Sequence, residues 1–250
     1  MGTEKVIQFI QQKIIMRVRK YSIYIAMLVV YSAGLFACSK MNATYEDFIK
    51  DGEVVYIAKV DSVTAYPGNN RMALSMLLTS DPRISKVKVY WSAGGQTDST
   101  EKAVQRTDNV DTVRFSFNKL AEGTYTFNIY SYDKAGHRSV KNDVIGTVYG
   151  DRYISQLVNR AIKSSAYSDA AQTATIKWYG VGADVIGQEI LYTDNFGAQQ
   201  KFYSKNEGPA DSTVLPVYKK GSSLQFRTLY KPAPNAIDTF YSNYEYRQVP

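Results

Sequence analysis

Short stretches in which apolar and polar residues alternate recur from residue 54 onward, and they restrict this chain to β architecture. In Lys86-Val87-Lys88-Val89-Tyr90-Trp91, one face holds Val87, Val89 and Trp91, and the other holds Lys86, Lys88 and Tyr90. A strand with one buried face requires this period of two. Val113, Phe115 and Phe117 repeat it, as do Tyr125, Phe127 and Ile129. Val54–Val63, Met72–Leu78 and Val140–Tyr149 complete the expected strands. Turns are expected at Tyr66-Pro67-Gly68-Asn69-Asn70 and Asp81-Pro82-Arg83. With no amphipathic helices between them, strands at this spacing predict an all-β chain built as sandwiches.

The second half repeats the first at an offset of about 100 residues. Ala73–Met76 corresponds to Thr175–Trp178, Val89–Trp91 to Ile190–Tyr192, and Tyr125–Phe127 to Leu224–Phe226. Tyr153, Ile154, Leu157, Val158, Ala161 and Ile162 stand at helical spacing, but the repeat puts the first strand of the second domain there, so a strand is expected. The resulting division is 52–150 and 151–250, two domains packed end to end. Trp91 and Trp178 both fall at inward positions and are expected in the cores. Leu120-Ala-Glu-Gly123-Thr-Tyr125-Thr-Phe127 resembles the tyrosine corner of immunoglobulin-like and fibronectin type III domains, in which the hydroxyl bonds back to the backbone. The expected architecture is therefore two tandem immunoglobulin-like, fibronectin type III-like β-sandwiches.

Ahead of them, Arg17, Arg19 and Lys20 flank an apolar run from Tyr21 to Phe36, and Leu35-Phe36-Ala37-Cys38 closes it. This is the order of a secretory signal, with cleavage after a small residue. The closing residues resemble the lipobox of bacterial lipoproteins, which implies that Cys38 is acylated and becomes the mature amino terminus. A transmembrane helix is the alternative, since Tyr21 to Cys38 is 18 residues long, the lower edge for a span. It would include Ser22, Ser32 and Gly34, with no basic cluster after it. An ordinary signal peptide is a third possibility, and either Met1 or Met16 could start the chain. The lipoprotein reading is preferred: residues 1–37 signal peptide, 38–51 tether, membrane attachment through the N-terminal lipid.

The leader also explains the charge. Of the net +7, residues 1–37 hold +4, which leaves +3 for the 213 residues that follow. That balance gives no case for a nucleic-acid partner. Acylation of Cys38 consumes the single cysteine, and His137 is the only histidine, so thiol chemistry and most metal or histidine-base arrangements are excluded. Serine-nucleophile motifs, phosphate loops and zinc spacings are missing. Glu46, Asp47, Asp51 and Glu53 read as a solvated face, and His137 as a hairpin residue. No enzyme, metal or cofactor is expected.

Aromatic residues are the remaining candidates. Tyr90 on one strand and Tyr130 and Tyr132 on another point away from the core, and in such a sandwich these strands are neighbours. The three are expected to form one strip on the outer face. Flat amphipathic rings suit the faces of sugars and of protein partners alike, unless the lysine stems of Lys86 and Lys88, or the second domain, cover them.

Cys38, Tyr45-x-x-Phe48, Gly52-Glu53-x-x-Tyr56-x-x-Lys59, Asp81-Pro82, Val89-Tyr90-Trp91, Gly123-x-Tyr125-x-Phe127 and Tyr153 to Arg160 together resemble an uncharacterised family of Bacteroidota lipoproteins, a domain of unknown function. The resemblance implies an outer-membrane location and the company of glycan-uptake machinery. It transfers no site residue; the lipobox, the repeat and the empty inventory of catalytic groups lead to a non-enzymatic binding or scaffolding protein, with a glycan or an outer-membrane protein as the expected partner. The periplasmic or cell-surface face stays open.

Overall fold

The computed structural model describes residues 16–22, 24, 27, 28, 55–107, 109–206 and 211–250. Cys38 and the expected tether lie outside the described residues. Among those described, no helix is long and apolar enough to cross a membrane. The chain divides into two compact units, Met1–Val54 and Val55–Pro250, and the second carries the β structure.

In its first half, β1 (Asp61–Pro67), β2 (Arg71–Leu78) and β5 (Asp111–Asn118) form one sheet, ordered β1-β2-β5. Facing it, β3 (Lys86–Ala93), β4 (Gln96–Ala103), β6 (Gly123–Tyr132) and β7 (Asn142–Val148) form a second, ordered β4-β3-β6-β7. The inward residues are those that alternation selects. Met72, Leu74, Met76, Leu78, Val87, Val89, Val113, Phe115, Phe117, Phe127 and Ile129 are all buried in one core. Trp91 is half-buried at its edge.

The second half repeats this order. Here β8 (Ile162–Ser168), β9 (Thr173–Trp178) and β12 (Ser212–Leu215) run β12-β9-β8. The facing sheet contains β10 (Val185–Thr193), β11 (Gln199–Lys205), β13 (Ser223–Tyr230), β14 (Phe240–Tyr241) and β15 (Glu245–Gln248). It runs β11-β10-β13, with β14 and β15 sharing the far edge of β13. Trp178 fills the centre of a separate core and donates its indole N–H to Thr213 Oγ1 at 2.9 Å.

The tyrosine corner forms as its sequence indicates. Tyr125 Oη donates to the Ala121 carbonyl at 3.0 Å and ties the β5–β6 loop to the strand it precedes. Tyr125→Phe removes that bond but keeps the ring, so a loss of about 1–2 kcal/mol is expected in urea unfolding.

Two expectations are corrected, and one strand lies where none was expected. Val54–Val63 is not one strand: β1 begins at Asp61, because side chains take the preceding backbone groups. Ala58 N–H donates to Asp81 Oδ2 at 3.1 Å, Ser131 Oγ donates to the Ala58 carbonyl, and Asn142 Nδ2 donates to the Val60 carbonyl at 2.8 Å. β4 lies in a stretch with no alternation, since it is an edge strand exposed along almost its whole length. And the segment from Tyr153 does not open as a strand. Asp151–Ser155 is a short helix, and β8 starts only at Ile162.

The helix forms because the β5–β6 loop supplies its cap. The two oxygens of Glu122 accept the N–H groups of Arg152 at 2.8 Å and Tyr153 at 3.0 Å, which the helix itself leaves without partners. Its apolar side then seals the junction between the two sandwiches. Tyr153, Ile154 and Leu157 pack with Tyr149 against Val185, Tyr230 and Phe240. Burial pushes the Tyr153 hydroxyl up to about 12. A second strap crosses nearby. Asp238 accepts from Arg71 Nε at 2.8 Å and from the Asn69 N–H at 2.8 Å, and Ile237 N–H reaches the Pro67 carbonyl at 2.8 Å. A Cβ on Gly68 would lie 2.6 Å from Asp238 Oδ2, so this crossing leaves room only for glycine.

Candidate functional site

The β3–β6 ladder sets the positions of the three candidate tyrosines. Lys86 stands opposite Tyr132, Lys88 opposite Tyr130, and Tyr90 opposite Asn128. In these three pairs every outward side chain but Asn128 is therefore Lys or Tyr, and Tyr90 meets Tyr130 diagonally. Their rings lie 6.0 Å apart at 85°, an edge-to-face pair. Tyr90, Tyr130 and Tyr132 are thus brought together on one face, each half-buried.

Cations share that face. Lys88 Nζ lies 5.0 Å from the Tyr90 ring, Lys86 Nζ 5.4 Å from Tyr132, and the Arg138 guanidinium 5.5 Å from Tyr130. At such distances the ring quadrupole attracts the charge. Hydrogen bonding with the Tyr90 phenol raises the Lys88 ammonium, and burial followed by the Tyr90 phenol raises the Tyr132 hydroxyl. Lys86 also pairs with Glu101 across the β3–β4 ladder at 3.2 Å. Lys88 and Arg138 have no such carboxylate among the described residues. The face therefore offers aromatic rims together with donors, and suits a ligand rich in oxygen acceptors.

The equivalent sheet of the second sandwich carries a related cluster that alternation does not reveal. Glu189 sits at an outward position of β10, yet it is only 1% exposed. Arg227 Nε and Nη2 donate to it at 2.8 Å, Lys201 Nζ at 2.9 Å, and the Tyr244 hydroxyl also donates. The Arg227 guanidinium is held 4.0 Å from the Tyr241 ring and 4.7 Å from Tyr244. Burial acts to raise the Glu189 carboxyl, but bonds from Tyr244, Lys201 and Tyr203 and the Arg227 charge outweigh it and hold it at about 2. In the repeat Glu189 corresponds to Lys88, so the second face sets a buried carboxylate among its cations where the first sets a further cation.

The remaining candidates have structural surroundings. His137 Nδ1 lies 2.7 Å from Asp133 Oδ2 inside the β6–β7 hairpin, and its bond to Asp133 lowers that carboxyl. Asp81 is clamped by Arg83 at 2.9 Å, which holds its carboxyl well below the usual range. Glu46, Asp47, Asp51 and Glu53 lie outside the described residues, as does Cys38. Among the described residues no three His, Cys, Asp or Glu side chains stand together as metal ligands.

Three solved structures are similar to this chain at low identity. A two-domain fibronectin type III segment of chicken tenascin is 12% identical, covering 77% of this chain and 99% of its own, with a TM-score of 0.31. The FN1–FN3 domains of chicken CNTN1 are 13% identical, covering 78% and 67%, with a TM-score of 0.37. The chicken interferon gamma receptor alpha chain is 10% identical, covering 78% and 99%, with a TM-score of 0.33. No curated protein matches. The model of one family, DUF4998, a domain of unknown function, matches residues 38–240, and the chain belongs to that family.

Proposed function

We propose that this is a non-enzymatic, lipid-anchored protein of the cell envelope that binds a glycan, or scaffolds a glycan-uptake assembly at the outer membrane, through the outer face of β4-β3-β6-β7. The observation that carries this reading is the convergence of Tyr90, Tyr130 and Tyr132 with Lys88 and Arg138 on one sheet face. Tyrosine rims pack against the C–H faces of sugar rings, and ammonium and guanidinium groups donate to hydroxyl or carboxylate oxygens. The anchor is supported by the Leu35-Phe36-Ala37-Cys38 sequence, and the family match begins at Cys38 itself.

A glycan array with residues 39–250 tests the ligand. Binding is expected, and the Tyr90→Ala, Tyr130→Ala, Tyr132→Ala triple variant should weaken it at least about tenfold, the loss of one to two ring contacts. Silence across a broad array sinks the glycan assignment. Membrane fractionation of the Cys38→Ala chain tests the anchor, with a shift to the soluble fraction expected and unchanged membrane retention counting against acylation.

The second reading is a protein-interaction module with no sugar ligand. It is favoured by Phe196, 87% exposed at the tip of the β10–β11 hairpin. Asp194 Oδ1 accepts the N–H groups of Phe196 and Ala198 at 2.9 and 2.8 Å, so the ring is presented on a braced turn. A pull-down from native membranes, compared between the parent chain and Phe196→Ala, separates the two readings.

A further inference from the structure

The first sandwich opposes four strands with three, so the inner face of β4 lies open beyond the edge of the facing sheet, next to the end of β3. A groove of about 640 Å³ opens there, between the β3–β4 hairpin and the loop from Lys119 to Gly123. That volume lies within the range of small-ligand sites. The ladder places Trp91 opposite Asp98 and Ala93 opposite Gln96, which puts these four side chains on the same inner face. Phe117 fixes the indole from behind, edge-on at 4.9 Å.

The repeat supplies an internal control. In the second sandwich Tyr192 takes the place of Trp91, Gln200 that of Asp98, and Pro216 and Val217 that of the facing loop. There the groove shrinks to about 240 Å³ and its polar groups bond to one another. Tyr192 Oη donates to the Pro216 carbonyl at 3.0 Å, and Gln200 Nε2 donates to Asp194 Oδ2 at 2.7 Å. In the first sandwich the same groups are unspent. Asp98 uses Oδ1 on the Ser99 N–H at 2.7 Å, and among the described residues Oδ2 has no donor. Nor do the Trp91 indole N–H and the Gln96, Thr97 and Lys119 side chains meet partners there.

We infer that this groove is a binding site for a pyranose ring, with Trp91 as its floor and Asp98 and Gln96 as its hydroxyl ligands. The charges of Asp98 and Lys119 balance, and Glu122 is engaged at the helix after β7. The ligand is therefore neutral and needs both donors and acceptors, which a polyhydroxylated ring provides along with an apolar C–H face. Among the described lining residues Lys119 is the one cation, too few to hold a phosphate, and Trp91, Leu120, Tyr125 and two alanines make a short apolar wall that suits a ring better than an acyl chain. The inference shares with the proposed function only the class of ligand, since Tyr90, Tyr130 and Tyr132 occupy the opposite face of the same sheet.

The chain's two tryptophans make the test direct. Trp178 is 1% exposed, so acrylamide quenching of the full chain in detergent reads Trp91, and Trp178→Phe confirms the assignment. Maltohexaose, cellohexaose, xylohexaose and mannohexaose serve as probes. At least one is expected to protect Trp91, lowering the quenching constant about twofold, and Asp98→Ala should weaken that protection about tenfold. Protection by none of the four, or equal protection of Asp98→Ala, overturns the site. The outer-face triple alanine variant should keep the protection, and its loss there would also overturn the groove. Array binding abolished by Asp98→Ala but indifferent to the triple variant would instead remove the outer face and leave the groove.

Discussion

Glu189→Ala is expected to destabilise the second sandwich by about 2–3 kcal/mol, the loss of charge-assisted bonds from a half-exposed Lys201 and a quarter-exposed Arg227 to one buried carboxylate. Arg227 and Lys201 both converge on this one carboxylate, and Tyr241 and Tyr244 keep water from the Arg227 faces. Glu189→Gln keeps the shape and removes the charge, and its signature is in the pH profile. The folded carboxyl titrates at about 2, below its ordinary range in an unfolded chain. Its contribution is therefore complete above about pH 4.5 and fades as pH falls toward 2, with a total on the order of 3 kcal/mol. The parent chain should lose urea resistance across that window, and Glu189→Gln should start lower and lose less. Asp81, Asp194 and Asp238 are also held below the ordinary range by their bonds, so some acid sensitivity persists in the variant. Parallel profiles for parent and variant would show that Glu189 does not act as a buried anion.

Alternation made most of the fold legible, and it did so through residues that touch a core on one side and water on the other. β2, β3, β5 and β6 were readable because each lies against a facing sheet. β4 was not, because an edge strand with solvent on both faces has no reason to alternate; its one local signal is the Gly94-Gly95 turn, where both glycines take positive φ. The helix at Asp151–Ser155 shows the opposite failure. Its helical spacing is plain in the sequence, but the repeat points to a strand there, and the deciding contact is a cap from Glu122, about thirty residues earlier.

The candidate site divides in the same way. The period of two placed Tyr90, Tyr130 and Tyr132 on a common face, and the ladder register brings them together. Glu189 and Asp98 were invisible by that rule, since a glutamate at an outward position reads as solvated. What buries Glu189 is Arg227, Lys201 and Tyr244, from two other strands and the β14–β15 connection. Only the register of three segments reveals it.

Phe240→Ala is expected to split the unfolding of residues 55–250 into two transitions. Phe240 is 2% exposed and belongs to a strand of only two residues, so its ring does more than its ladder to hold the junction. Tyr149 and Tyr153 meet it edge-on at 5.7 and 5.2 Å, with ring planes at 67° and 88°, and these two tyrosines come from the end of the first sandwich and the capped helix. Truncation leaves a ring-sized cavity among them, a loss of about 3–5 kcal/mol. The Asp238–Arg71 strap cannot make this good. Arg71 is nearly half exposed, so the pair is worth at most about 1 kcal/mol. Each core has its own facing sheets and can persist once the junction fails, so the coupling between them is what the variant removes. Differential scanning calorimetry should show one endotherm for the parent and two for Phe240→Ala, the lower assigned to the second sandwich by Trp178 emission in a Trp91→Phe background. A single endotherm shifted downward would mean that the two cores unfold as one body by contacts other than this ring.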